Sequence, residues 1–162
     1  MEKATDIVDL LCQEHLEVKE KCAILFELLT FLDKEGTWEK ICESLDFLDR
    51  TLPRHCEAEA TLISRLHQNK AELTPDEKQV LFEILEEHKA MLAGLRRLCE
   101  VAEEYEEGNR NICEVLVTLT RDAIDRIFAH AGKEDVLLFE LIRKYIDSEQ
   151  LRDYKRMLRD TK

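Results

Sequence analysis

The chain has 162 residues, the length of one domain with enough residues for a sizeable apolar core. Hydrophobic residues make up 44% and charged residues 37%, which excludes a disordered chain, and only 4 Gly and 2 Pro argue against a β-sandwich or barrel built on tight turns. The net charge of −12 repels phosphate backbones and anionic lipid. We therefore expect no nucleic-acid partner and no membrane association.

Helix start and stop signals divide the chain into four long segments and one short one. We expect helices over about 4–34, 38–68, 75–107 and 111–145, and a fifth from a Ser148 cap to about 160. The third helix has the clearest start, because Thr74 is a preferred N-cap, Pro75 suits the first helical position and Glu77 completes a capping box. Gly108 ends it. Pro53 predicts a kink in the second helix, or a helix broken in two.

Apolar residues recur along each long segment in steps of three or four. Such spacing predicts an all-α protein, namely an up-down-up-down antiparallel four-helix bundle with short loops and a short C-terminal fifth helix. We interpret residues 1–162 as one domain, with the bundle over about 5–146 and the fifth helix over about 148–160. In the third and fourth helices the predicted inward positions include Leu85, Leu92, Cys99, Leu137 and Leu141.

Each apolar stripe is interrupted by a histidine, and two of the stripes also carry a glutamate four residues later. The set is His15, His55, Glu59, His88, His130 and Glu134. Histidines in consecutive helices lie at equal distances from the shared turn to within about two residues, or ~3 Å at the helical rise. The six side chains are therefore predicted to converge in one layer of the core, whereas the fifth histidine, His67, lies off the stripe and should be at the surface.

Two buried carboxylates without a basic partner at their level favour a metal site. An unpaired buried carboxylate costs several kcal/mol, and no Lys or Arg occupies the stripe near Glu59 or Glu134. Imidazole with carboxylate suits iron, zinc or manganese. Four histidines and two carboxylates suit two metals bridged by the carboxylates, with two terminal histidines each. The alternative is protonated glutamates beside the histidines.

The ordered set resembles the hemerythrin-like (HHE cation-binding) family over about residues 5–145. The family pattern is His, H-x-x-x-E, His and H-x-x-x-E, one motif for each helix of a bundle, and the residues after His130 are similar to the family's last motif. Oxygen-carrying members have a fifth histidine where Leu92 stands and an aspartate at the position of Asp135, which makes Asp135 the rival of Glu134. The set of four histidines and two glutamates, and Glu87 before His88, look closest to the iron–sulfur cluster repair (repair of iron centres) proteins.

The resemblance implies two iron ions in a non-haem di-iron centre with oxo or hydroxo and carboxylate bridges. The missing fifth histidine implies an open coordination position that invites O2, NO or peroxide. We expect a protein that binds O2 or NO for sensing, storage or stress protection. The alternatives are an NO reductase or peroxidase-like enzyme, an iron donor for cluster repair, or a structural metal-binding bundle, and catalysis stays open between them. The expected apolar lining, Leu85, Leu92, Ile127 and Leu137, favours binding over catalysis.

The cysteines and the N-terminus predict a cytoplasmic protein. No basic segment followed by an apolar stretch opens the chain, and six cysteines occur without a C-x-x-C pair. We expect reduced, mostly buried thiols. Cys56, beside His55, is the one weak redox candidate.

Overall fold

The computed structural model describes residues 6–68 and 72–160, and within these every regular element is helical. Helices α1 to α6 have these bounds: Ile7–Leu28, Thr37–Gln68, Pro75–Glu106, Cys113–Lys133, Phe139–Tyr145 and Ser148–Asp160. A π-helical turn, Glu134–Leu138, joins α4 to α5, so the two form one continuous fourth rod. The predicted start of the first helix near residue 4 lies outside the described residues.

Contacts between α1, α2, α3 and the fourth rod, which we call the four rods, form the predicted four-helix bundle. Consecutive rods pack against each other, α1 also contacts α4, and α6 lies against α1. Short connections that contain Gly36 and Gly108 reverse the chain, and both glycines have positive φ angles, 79° and 109°, which side chains other than glycine rarely adopt. None of the described helices is both long and apolar enough to cross a membrane.

The helices follow the predicted signals, with one difference at a helix end and one inside α2. Thr74 and Glu77 form the expected capping box at Pro75. At α6, however, Asp147 caps the helix instead of Ser148, because its Oδ1 accepts hydrogen bonds from the backbone N–H groups of Glu149 and Gln150. At Pro53, α2 continues without a break, since one missing N–H removes only one bond from a long, well-packed helix.

The predicted inward face of α3 needs a correction. Leu85, Leu92 and Cys99 are only half-buried, whereas Ile84, Met91 and Leu98 are buried. The buried residues form two heptad rows, one through Leu81, His88, Leu95 and Ala102 and the other through Ile84, Met91, Leu98 and Tyr105. Apolar residues flank the first row on both sides, so spacing alone does not say which side faces the core.

The π turn explains a second correction, on the fourth rod. Leu137 is 39% exposed and Leu141 half-buried, while Leu138 and Ile142 are fully buried. Because a π turn has more residues per turn than an α-helix, it moves the buried face one residue further along the chain than α-helical spacing predicts.

The core consists of two apolar clusters on either side of the histidine level. One cluster includes Leu25 and Leu48, and the other includes Leu11 and Leu62. The polar layer between them is therefore surrounded by packed side chains, which raises the cost of any charge left uncompensated there.

A surface network ties the start of α3 to the end of α5 and gives the first testable prediction. Glu77 accepts hydrogen bonds from Lys144 Nζ and the Tyr145 hydroxyl, both at 2.9 Å, as well as from the Thr74 backbone. The Lys144 hydrogen bond is the largest cause that lowers the pKa of Glu77 from 4.5 to about 2, followed by the bond from Thr74.

A folded-state pKa below the unfolded value means that Glu77 stabilises the protein above pH 4.5 and loses this effect as the pH falls towards 2. Glu77→Gln should therefore lower the Tm at pH 7, and the difference from the parent should shrink across that interval. Thermal unfolding followed by circular dichroism measures both. Glu43→Gln, an exposed change elsewhere, is the control, and an unchanged Tm for Glu77→Gln at pH 7 would contradict the prediction.

Candidate metal centre

The six predicted side chains meet in one buried layer, each from the helix assigned to it. Their residues are between 0% and 6% exposed. The helices contribute as follows: His15 from α1, His55 and Glu59 from α2, His88 from α3, His130 from α4 and Glu134 from the first position of the π turn. His67 is exposed, as expected.

One half of the layer brings together His15, His55 and both glutamates. His15 Nε2 and His55 Nε2 are 2.9 Å apart. His55 Nε2 lies 3.1 Å from Glu59 Oε1, and His15 Nε2 lies 3.1 Å from Glu134 Oε2. The ligand atoms of these four residues lie within 4.8 Å of one another, close enough to hold one metal ion.

The other half brings the same two glutamates together with His88 and His130. His88 Nε2 lies 3.1 Å from Glu59 Oε2 and 2.9 Å from Glu134 Oε1, and His130 Nε2 lies 2.7 Å from Glu134 Oε1. This second group of four also fits within 4.8 Å. Each glutamate thus directs one oxygen to each histidine pair, which is the arrangement of a carboxylate that bridges two metals.

Several of these atoms are close together without being aligned as hydrogen bonds. Both oxygens of Glu59, Oε2 of Glu134 and Nε2 of His130 are buried and have no aligned hydrogen-bond partner among the described residues. Buried polar atoms are almost always satisfied, so this concentration at one point needs an explanation. A cation held between the carboxylates and the imidazoles would satisfy all four atoms at once.

Outer hydrogen bonds orient three of the four imidazoles. His15 Nδ1 donates to Asp135, His55 Nδ1 to Glu14 and His130 Nδ1 to Glu87, at 2.7 to 2.8 Å. At His88, Cys56 is the largest of the causes that raise its pKa. Such hydrogen bonds fix the ring so that Nε2 faces inward, and a ligand histidine characteristically has one.

Three acids that the sequence did not identify as outer partners make these bonds. Asp135, the rival of Glu134, contacts His15 from outside the layer, while Glu134 lies inside. Glu87, which precedes His88 in the sequence, contacts His130. Glu14 was missed, although the chain carries the signal twice: a glutamate immediately precedes His15 and another precedes His88, and each reaches the histidine of the next helix in the chain.

The buried charges perturb one another strongly. Burial alone would lower the pKa of His55, but the charge of Glu59 and the bond to Glu14 outweigh burial and raise it to about 10. Burial likewise opposes the shift at His88, where Cys56, Glu134 and Glu59 raise the pKa to about 12. Burial would raise the pKa of Glu134, but the imidazoles of His130, His15 and His88 lower it. A metal must displace imidazolium protons, so metal binding should strengthen as the pH rises.

The lining of the layer is apolar, but through partly different residues from those predicted. Ile127 is buried as expected, whereas Leu85 and Leu92 lie at the edge and Leu137 is exposed. Phe139 replaces them on one side, with its ring 5.3 Å from that of His15. The six thiols are free; Cys22 and Cys56 are buried and the other four are half-buried, so fewer are buried than expected.

Comparison with known proteins supplies an independent finding. The family model described as the hemerythrin HHE cation binding domain matches residues 6–142 of the chain. This range contains all six residues of the layer and the outer partners Glu14, Glu87 and Asp135. No curated protein and no solved structure matches the chain significantly.

Proposed function

Because the chain belongs to the hemerythrin HHE cation-binding family, we propose that its buried layer holds two iron ions and binds O2 or NO. One observation carries the proposal: Glu59 and Glu134 each direct one oxygen to each histidine pair. The proposed ligands are His15 and His55 for one ion, His88 and His130 for the other, and both glutamates as bridges. Only two histidines for each ion leave coordination positions free, and bound iron supplies at such a position the affinity for a diatomic gas.

The chain's own groups favour binding over catalysis. The nearest acids outside the layer, Glu14, Glu87 and Asp135, are engaged with histidine Nδ1 atoms and are not aimed at the layer. Tyr105 packs against Trp38, and the Tyr145 hydroxyl bonds to Glu77, so neither offers a proton at the centre. Ile127, Leu138 and Phe139 are buried apolar residues, and the ring of Phe139 packs against that of His15. We place this chemistry in the cytoplasm, where reducing conditions preserve free thiols.

Elemental analysis of protein purified without added metal tests the proposal. We expect about two iron ions per chain, as in bundle-bound di-iron carboxylate centres. Absorbance titrations of the reduced protein with O2 and with NO should then show saturable binding. Zinc alone, or a metal-free folded protein in which imidazolium–carboxylate pairs neutralise the layer, would overturn the gas-binding proposal. Turnover of NO or peroxide, or release of iron to a damaged cluster, would favour the enzyme or iron-donor alternative.

Asp135→Asn distinguishes an outer partner from a ligand. The variant removes the carboxylate that orients His15 but leaves all six proposed ligands, so iron per chain at saturation should not change. The affinity should fall about 10- to 100-fold, the typical cost of losing such a contact. A competition titration with a chelator measures it. A loss of stoichiometry in Asp135→Asn, with none in Glu134→Gln, would reverse the two roles.

A further inference from the structure

A basic residue contacts the outer partner of His130 from the solvent side. Glu87 accepts a hydrogen bond from His130 Nδ1 through one oxygen, at 2.7 Å, and from Lys133 Nζ through the other, at 2.8 Å. Lys133 also donates to Glu83, one turn before Glu87, at 2.9 Å. Both donors to Glu87 lie on α4, three residues apart, so one helix contacts an acid of its neighbour at two points.

The same arrangement recurs at the other two outer acids. Asp135 accepts hydrogen bonds from His15 Nδ1 at 2.7 Å and from Lys19 Nζ at 3.2 Å, through different oxygens, and both donors lie on α1. Glu14, the outer partner of the α2 histidine, lies 4.0 Å from Arg54 of the same helix α2. We call the three sets acid clamps: His130, Glu87 and Lys133; His15, Asp135 and Lys19; His55, Glu14 and Arg54.

Burial distinguishes the two lysine clamps from an ordinary surface ion pair. The side chains of Lys133 and Lys19 are 24% and 29% exposed, whereas Lys89, which pairs with Glu86 at 2.6 Å, is 73% exposed. A fully exposed pair contributes little, because solvent and salt screen it, while a partly buried pair is screened much less. Arg54 is 50% exposed and its contact is the longest, so its clamp should be the weakest of the three.

We propose that Lys133 and Lys19 are positioning residues of the metal centre, each of which holds an outer acid in the orientation that fixes its histidine ring. A carboxylate with one hydrogen bond can turn away from the imidazole, and a second bond to its other oxygen removes that freedom. The lysines therefore act on His130 and His15 only through Glu87 and Asp135. The inference rests on the proposed function in one respect, that the layer holds metal, and not on the identity of the metal or of the gas.

The sign of the effect on metal affinity separates positioning from charge. Zinc is the probe, because imidazole and carboxylate groups bind it and it has no redox chemistry. Lys133→Met removes a positive charge, so a purely electrostatic role would make zinc bind more tightly, since like charges repel. Loss of positioning weakens zinc binding instead, because Glu87 no longer fixes His130. We expect the affinity to fall about threefold, less than the 10- to 100-fold cost of losing an outer acid itself. A competition titration with a chelator measures it.

Three further variants show whether Lys133 acts through the acid. In a Glu87→Gln background, Lys133→Met should no longer weaken zinc binding, because the acid that Lys133 holds is gone. Lys133→Arg keeps the charge and the donor groups and should restore most of the affinity. Lys89→Met, which removes the same charge from the exposed pair with Glu86, is the matched control and should leave the affinity unchanged.

The Nδ1 proton of each histidine provides a second readout that helix packing alone would not change. Nuclear magnetic resonance measures how fast this proton exchanges with solvent, in metal-free and in zinc-loaded protein. Lys133→Met should speed the exchange at His130 several-fold and leave that at His15 unchanged, and Lys19→Met should do the reverse. An ion pair that only joins two helices would lower the Tm without this selective change.

The two proposals fail in different ways, because neither zinc binding nor proton exchange depends on iron or on a gas. A parent protein that binds zinc but neither iron nor a gas contradicts the proposed function and leaves the test of the clamps intact. Unchanged or tighter zinc binding in Lys133→Met overturns the clamps. Unchanged proton exchange at His130 in that variant overturns them as well, even if the affinity falls.

Discussion

Replacing Glu59 with alanine is expected to lower iron from about two ions to fewer than one per chain. Glu59 Oε1 lies 3.1 Å from His55 Nε2 and its Oε2 lies 3.1 Å from His88 Nε2, so one substitution removes an oxygen from each metal position. The loss of one bridge therefore weakens both positions together. Glu134→Ala should behave in the same way, because Glu134 also serves both halves. Elemental analysis after anaerobic loading with iron(II) measures the effect.

Two further variants serve as controls for this test. Glu59→Gln keeps the side-chain volume and removes the charge, so it should lose iron while retaining the helical circular dichroism of the parent. His67→Ala removes an exposed histidine of the same helix and should leave iron content unchanged. Iron retained at about two per chain in Glu59→Ala would show that the layer does not bind the metal.

Removal of the metal should produce the second large effect, a fall of about 10 °C in Tm. A ligand that binds the folded state at about a thousand times its Kd contributes ~4 kcal/mol, and 1 kcal/mol corresponds to about 2–4 °C in a chain of this size. The physical reason is the position of the layer between two apolar clusters. Without a cation, buried carboxylates are compensated only by imidazolium groups whose burial is itself unfavourable.

Calorimetry of loaded, chelator-treated and reloaded protein measures this change. Reloading should restore the original Tm, which separates metal loss from irreversible damage. Added iron should raise the Tm of Glu59→Gln far less than that of the parent, since both metal positions of the variant lack the Glu59 carboxylate. Equal Tm values for loaded and stripped parent protein would mean that the ion pairs alone stabilise the layer, and would favour the metal-free interpretation.

The outer partners of the histidines show how much of the site can be predicted from the sequence. Glutamate precedes histidine at Glu14 and Glu87, and each glutamate contacts the histidine of the following helix. The Glu-His pair is visible in the sequence. Whether its glutamate contacts the histidine of the next helix depends on how the two helices are rotated relative to each other. Asp135 has no such repeat, and only its contact with His15 identifies it as an outer partner.

The sequence by itself determined the helices, their order and the six polar residues at one level. Apolar spacing defines amphipathic helices, and short connections make distance from a turn equal to height in the bundle. Glycine and capping signals then place the turns, as at Thr74 and Gly108.

Tertiary packing decided which flank of each apolar stripe faces the core, where the fourth rod takes a π turn and which oxygen of each glutamate faces which histidine pair. Packing against neighbouring helices buries Met91 in the core in place of Leu92. The wider π turn that begins at Glu134 buries Leu138 in place of Leu137. These outcomes depend on helix rotation and on side-chain conformations that are chosen only when several helices meet, so local sequence spacing does not contain them.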